Sequence, residues 1–110
     1  RFTDSTIAYQ HYGLGVDLKV INFLNNYLLQ KFKTDFTFLN IVNEKNMEKR
    51  LKLRNSLNRY DKFNKKFYKN VQKGFLKLAK KNKNKYLIIN SNFEKKHNRS
   101  LIIDKIDKLI

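Results

Sequence analysis

Two short apolar runs limit the fold more than any other feature of this sequence. Residues 36–42 and 86–89 are rich in aromatic and β-branched side chains. The first is bounded by Thr34-Asp35 and Asn43, and both are too short to read as helices. Each reads as a buried strand. Around them the spacing is helical. Leu18, Ile21, Leu24, Leu28 and Phe32 follow Asp17, an acceptable N-cap, and predict a helix from about 17 to 33. Met47, Leu51, Leu53 and Leu57 give a weaker stripe from Asn43 onward. Phe63, Phe67, Val71, Phe75 and Leu78 form a steady ladder behind Asp61. Ser100 offers a cap for a last helix that would turn Ile102 or Ile103, Ile106 and Leu109 inward.

The order helix, strand, helix, helix, strand, helix is that of a parallel sheet with crossover helices. Two strands do not complete such a sheet, because a parallel strand buried on both faces needs neighbours and helical cover. The missing strands are therefore expected upstream. Residue 1 is an Arg that runs directly into Phe-Thr-Asp-Ser, with no initiator Met and no signal-peptide pattern, which agrees with a start inside a longer chain.

Composition removes several function classes. With no Cys, thiolate metal sites, disulfides and Cys nucleophiles are excluded within this segment. No stretch approaches the roughly 20 apolar residues of a membrane span. The formal charge of +16 would suit a polyanionic partner. However, Lys far outnumbers Arg and Asn is abundant, as in a chain whose solvated positions have drifted toward Lys and Asn. The aromatic residues among the bases of the 45–85 segment, Tyr60, Phe63, Phe67, Tyr68 and Phe75, mostly keep helical spacing and are better used as core than as a stacking platform for bases. His11 and His97 have no acidic partner at ligand spacing. Gly13-Leu14-Gly15 lacks the third Gly of a dinucleotide fingerprint and reads as a turn. Asp4, Ser5 and Thr6 taken alone would be a helix cap.

Read whole, the opening segment Arg1-Phe2-Thr3-Asp4-Ser5-Thr6-Ile7-Ala8-Tyr9-Gln10 resembles the signature Asp-Arg-Tyr/Phe-x-x-Ser-x-x-Ala-Tyr-Gln of thymidylate kinases (dTMP kinases), with the leading Asp just outside it. The resemblance continues through Tyr12-Gly13, Gly15, Asp17-Leu18, Asp35-Phe36-Thr37, Lys49-Arg50, Leu57, Arg59, Gly74-Phe75-Leu76 and Leu78-Ala79. Departures are His11 for a usual Gly, Leu14 for a usual Arg, Thr34 for a usual Pro, and Asn40-Ile41-Val42 for a common Leu-Asp-Val.

The resemblance implies an α/β fold, a P-loop nucleoside monophosphate kinase-like parallel sheet with flanking helices. Here it is partial, with the N-terminal strands missing, and residues 1–110 are the C-terminal portion of a single domain. It implies transfer of the γ-phosphoryl group of ATP to dTMP, giving dTDP and ADP. In that scheme Arg1 clamps the acceptor phosphate, for which a forked guanidinium is suited. Ser5, Thr6, Tyr9 and Gln10 line the dTMP pocket. Arg50, Lys52, Arg54 and Arg59 fall in a lid over the ATP phosphates, at about 50–62. Arg54 and Arg59 are the better placed of its arginines to touch substrate, and Asn90-Ser91-Asn92 forms a loop beside the adenine. The cofactor implied is Mg²⁺ with ATP, bound mainly by the absent N-terminal part along with the P-loop. The intact enzyme is expected to be a cytoplasmic homodimer without membrane or nucleic-acid partners, and this segment alone to be inactive. A deoxynucleoside kinase on the same fold, or a basic nucleic-acid-binding module, are the competing readings.

Overall fold

The computed structural model describes residues 2–30, 32–54 and 65–110. Expectations that fall on Arg1, Leu57, Arg59, Tyr60, Asp61 and Phe63 lie outside the described residues.

The chain begins with α1 (Thr3–Thr6), which continues as a π-helical segment (Ile7–Gly13). Its start is set by the extended backbone of Phe2 and not by a capping side chain, so the cap expected from Asp4, Ser5 or Thr6 is not formed. The helix starts one residue before Asp4, and the Asp4 carboxylate accepts the Tyr86 hydroxyl instead. The wider π turn ends where the Leu14 and Val16 amides reach back to the Tyr9 and Gln10 carbonyls. Gly15, at φ +78°, then turns the chain.

Helix α2 (Leu18–Leu29) is capped as its sequence predicts, with the Asp17 carboxylate accepting the Lys19 amide at 2.8 Å. It stops short of the expected end at 33, because Gln30 takes φ 40°, outside the helical region. Only Ile21 of the predicted inward stripe is buried. Leu24, Leu28 and Phe32 are exposed.

Strand β1 (Thr37–Ile41) and strand β2 (Tyr86–Asn90) pair in parallel, Thr37 opposite Tyr86 and Ile41 opposite Asn90. A parallel pair needs a crossover, here supplied by α3 (Glu44–Lys52) and α4 (Lys65–Lys81). Asn43 caps α3 by accepting the Asn46 amide at 2.8 Å. The helix ends at Lys52, so Leu53, expected on its apolar side, is exposed. Lys65 bridges back to Glu48 at 2.6 Å and to Glu44 at 3.8 Å, holding the start of α4 against α3. The last helix, α5 (Lys95–Leu109), starts five residues before the predicted cap. Ser100 is inside it and bonds the Lys96 carbonyl; of the pair Ile102 and Ile103 it is Ile102 that is half-buried, while Ile106 and Leu109 remain exposed where they were expected to turn inward.

The best-packed region is the seam between the π-helical segment and α4. Ala8, Phe67 and Val71 are buried there, with Tyr9, Tyr68 and Phe75 packed around them. Two glycines allow the close approach. A Cβ on Gly13 would lie 2.6 Å from Phe67 Cε2, and one on Gly74 would lie 2.5 Å from Tyr12 Cδ2, both well inside van der Waals contact. Leu39 and Ile89 fill the sheet side of the core. The observed class is α/β, a small parallel sheet with flanking helices.

Candidate functional site

In open parallel sheets, ligands bind beyond the carboxyl ends of the strands. In this chain the residues there are held by a network of asparagines. The Ser91 amide donates to the Ile41 carbonyl at 2.7 Å, joining the ends of β2 and β1. Asn92 Oδ1 accepts both the Asn43 amide (3.2 Å) and Asn46 Nδ2 (2.7 Å), so the loop after β2 is bound to the start of α3. Asn90 turns the same loop by accepting the Asn92 amide on its side chain at 3.0 Å, while its carbonyl accepts Asn98 Nδ2 at 2.9 Å. Arg50 closes the set by donating to the Ser91 carbonyl at 2.6 Å. Nothing in the sequence spacing pairs Asn92 with Asn43 across 49 positions; only the excess of turn-forming residues at 90–92 hinted that this loop is built.

A cleft of about 800 Å³ runs from this end along β1. Ser5 and Tyr9 enter it from the first helix, Arg50 and Arg54 from α3 and its exit, and Tyr68, Gln72 and Phe75 from α4. The structure thus brings together two groups of candidates that are more than 40 residues apart in sequence. Thr6 and Gln10 do not line this cleft; Thr6 is exposed. Ser91 lies in a neighbouring cleft of about 720 Å³ with Arg50, Phe93, Lys95, Asn98 and Arg99. Arg50 lines both. The side chain of Asn90 is occupied in the turn. Arg1 and Arg59 lie outside the described residues.

Two arginines at the end of α3 make the cleft electropositive, and cations there also suit the negative end of the helix dipole. The carboxylate in the cleft wall is Asp4. Burial pushes its carboxyl above the usual range, because a half-desolvated anion is disfavoured. Its partner Tyr86 is 82 positions away, and no sequence signal joined them. This single carboxylate, already hydrogen-bonded, does not fit a Mg²⁺ site, which takes oxygen ligands in near-octahedral geometry. Among the described residues no group of three His, Cys, Asp or Glu could hold a metal ion. His11 bonds the Val16 carbonyl at 2.7 Å, and His97 packs on Phe93. Among the described residues no helix is long and apolar enough to cross a membrane. Phe67 is buried in the core cluster, and Tyr68 and Phe75 pack against it while also lining the cleft.

The comparisons with known proteins decide the family. The family model described as thymidylate kinase matches residues 1–102. The chain belongs to the thymidylate kinase family. It is 38% identical over 110 residues to the thymidylate kinase of Wolbachia pipientis subsp. Culex pipiens, covering 98% of this chain and 52% of that protein. To the thymidylate kinase of Wolbachia pipientis wMel it is 39% identical over 109 residues, covering 99% and 53%. The crystal structure of thymidylate kinase from Ehrlichia chaffeensis superposes with a TM-score of 0.67 at 29% identity, over 97% of this chain and 48% of that one. The chain therefore spans about half the length of the thymidylate kinases it matches.

Proposed function

We propose that this chain forms the acceptor and lid half of an enzyme that transfers the γ-phosphoryl group of ATP to dTMP. The observation that carries the reading is the convergence of Ser5 and Tyr9 with Arg50 and Arg54 on one cleft, in a chain of the thymidylate kinase family. An oxygen of the dTMP phosphate attacks the γ-phosphorus, the bond from that phosphorus to the bridging β,γ-oxygen breaks, and ADP leaves with the electron pair. Such a reaction is accelerated mainly by position and charge. The Ser5 and Tyr9 hydroxyls orient the nucleoside, with Thr6 and Gln10 on the same segment and Arg1 on the acceptor phosphate. Arg54, with Arg59, neutralises charge on the moving phosphoryl group, and Arg50 holds the loop of Asn90 and Ser91 that borders the nucleotide base. Mg²⁺ accompanying ATP would supply charge shielding of the phosphates, and the residues that would hold it belong to the half of the family fold that this chain does not span. The working enzyme is a cytoplasmic homodimer.

The test joins this chain to the segment of the Culex pipiens Wolbachia relative that it does not span and assays phosphate transfer to dTMP, dUMP, dCMP and dAMP. Preference for dTMP is expected, and equal use of the four acceptors overturns the substrate assignment. In the same hybrid Arg54→Ala should lower kcat by roughly 10³-fold or more, the scale of an arginine that acts on the transferring phosphoryl group, with a smaller change in KM for dTMP.

A further inference from the structure

Helix α4 has two unlike faces. Phe67, Val71, Gly74 and Ala79 are buried on one. On the other, every exposed residue of the helix is a lysine. Lys66, Lys69, Lys73, Lys77 and Lys80 recur at steps of three or four and so stand in one row, about 21 Å long by the helical rise. Lys81, Lys83 and Lys85 carry the charge on through the turn that follows. No Asp or Glu occurs anywhere from 65 to 93. Composition alone reads these lysines as drift, but drift of solvated positions would leave acids and bases mixed on each face. That is the pattern of the neighbours, since α3 carries Glu44 and Glu48 and α5 carries Asp104 and Asp107. α4 departs from it. Among the described residues its ion pairs are those of Lys65 with Glu44 and Glu48, at its start, and Lys77 lies over the Tyr12 ring at 5.4 Å from its centre. Like charges three and four apart on a helix repel, so the row costs the helix stability that nothing in the described residues returns.

A row of ammonium groups calls for a row of anions. None of these lysines lines either cleft at the strand ends, so the anion is not a nucleotide held there. A neighbouring helix laid over the row would bury unpaired charges, and the row suits a solvated polyanion instead. Its surroundings select among polyanions. An interfacial membrane helix must offer lipid an apolar face, and the apolar face of α4 is occupied by the core. Single strands are gripped by aromatic side chains that stack on bases, and no aromatic residue of α4 is exposed. Lysine meets phosphate as a point charge, and phosphate contacts carry no sequence information. A duplex, with its bases already stacked and its phosphates regularly spaced, needs nothing more. We propose that the lysine row of α4 is a docking surface for the phosphate backbone of duplex nucleic acid, bound without regard to sequence. The row covers the axial length of about six phosphates of one strand.

The row is independent of which acceptor the cleft takes, and its test reads binding, not phosphate transfer. In the hybrid described above, affinity for a DNA duplex of about 20 base pairs, and for the RNA duplex of the same sequence, is measured as a function of salt. A Kd of roughly 10⁻⁴–10⁻⁶ M is expected near physiological salt, unchanged when the sequence is scrambled, with log affinity falling against log salt by about 0.9 for each lysine engaged. The variant Lys66→Gln, Lys69→Gln, Lys73→Gln and Lys77→Gln should lose about 3–4 of that slope. Arg at the same positions should keep it. The variant Lys19→Gln, Lys45→Gln, Lys96→Gln and Lys108→Gln removes the same charge from exposed positions on other helices and should leave the slope near that of the parent. Relief of repulsion should hold the urea midpoint of the α4 variant at or above that of the parent, so the loss of binding is not unfolding. Equal loss of slope in the two Gln variants overturns the inference, because binding then follows net charge alone. So does a preference for one base sequence, or equally tight binding of vesicles of phosphatidylcholine and phosphatidylserine through the same lysines. Binding of either duplex with the expected slopes supports it, and the tighter one identifies the partner.

Discussion

The seam between the first helix and α4 and the outer face of α2 follow the same sequence rule and meet opposite fates. Both carry apolar residues at spacings of three and four. On the seam Phe67 is 6% exposed, against Ala8 and Val71. On α2, Val20, Phe23, Leu24, Tyr27 and Leu28 make an unbroken stripe, yet Phe23 is 68% exposed and stacks on Tyr27 of the same helix. Periodicity says which side of a helix wants cover. It does not say whether the cover lies within the same stretch of chain. The seam is closed because glycines at 13 and 74 let two helices of this half meet, and the α2 face is open because no described element reaches it.

The sharpest way to break this contrast is to delete the same side chain on each side of it. Phe67→Ala should cost about 3–5 kcal/mol, the range for losing a buried aromatic and leaving a cavity. Phe23→Ala should change stability by no more than about 0.5 kcal/mol, as exposed substitutions do. Urea midpoints of the two variants give the comparison directly. Equal losses would mean that the α2 face is covered in solution.

Gly74→Ala tests the seam from the backbone side. Alanine raises helix propensity by about 1 kcal/mol over glycine, so on an exposed helix this change stabilises. Here the new methyl would lie 2.5–2.8 Å from three atoms of Tyr12, including its Cβ, which cannot swing away. Overpacking of this kind costs about 1–3 kcal/mol, and the net result should be destabilising. A rise in the midpoint would show that the seam is looser than its geometry.

The contrast also explains what could be read from the residues. Both strands were legible because their runs are short, apolar and bounded, and β1 and β2 lie within a residue of the expected limits. The cap of α2 was legible because Asp17 acts locally. The cap placed at Ser100 failed because helices also begin at residues without capping side chains, and α5 starts after Glu94 with none. The site was half legible. Ser5, Tyr9, Arg50 and Arg54 share a cleft, whereas the bonds of Asn92 and Tyr86 span 46 to 82 positions and leave no local pattern. Burial of Leu24, Leu28, Ile106 and Leu109 was expected from spacing and did not follow, because spacing does not say whether the covering element lies within the same stretch of chain.

The smallest effect separates two carboxylates. Asp4 lies where the first helix meets β2, and burial raises its carboxyl above the ordinary value. Glu48 lies on open α3, where the hydrogen bond from Lys65 lowers its carboxyl. The signs are opposite. The native state binds the Asp4 proton more tightly than the unfolded chain does, so this group favours folding below the ordinary aspartate value. That contribution is lost as pH rises through the raised value. Glu48 favours folding above its ordinary value and loses its contribution as pH falls through the lowered one; being an exposed pair, it contributes little. Asp4→Asn keeps an acceptor for the Tyr86 hydroxyl but cannot ionise, so urea midpoints measured from acid to neutral pH should lose the decline that the parent chain shows above the ordinary aspartate value. Tyr86→Phe removes the donor that favours the charged form, which should push Asp4 higher still and extend the decline toward neutrality. If both variants follow the parent curve, Asp4 is solvated in solution and the contact between the first helix and β2 is not maintained.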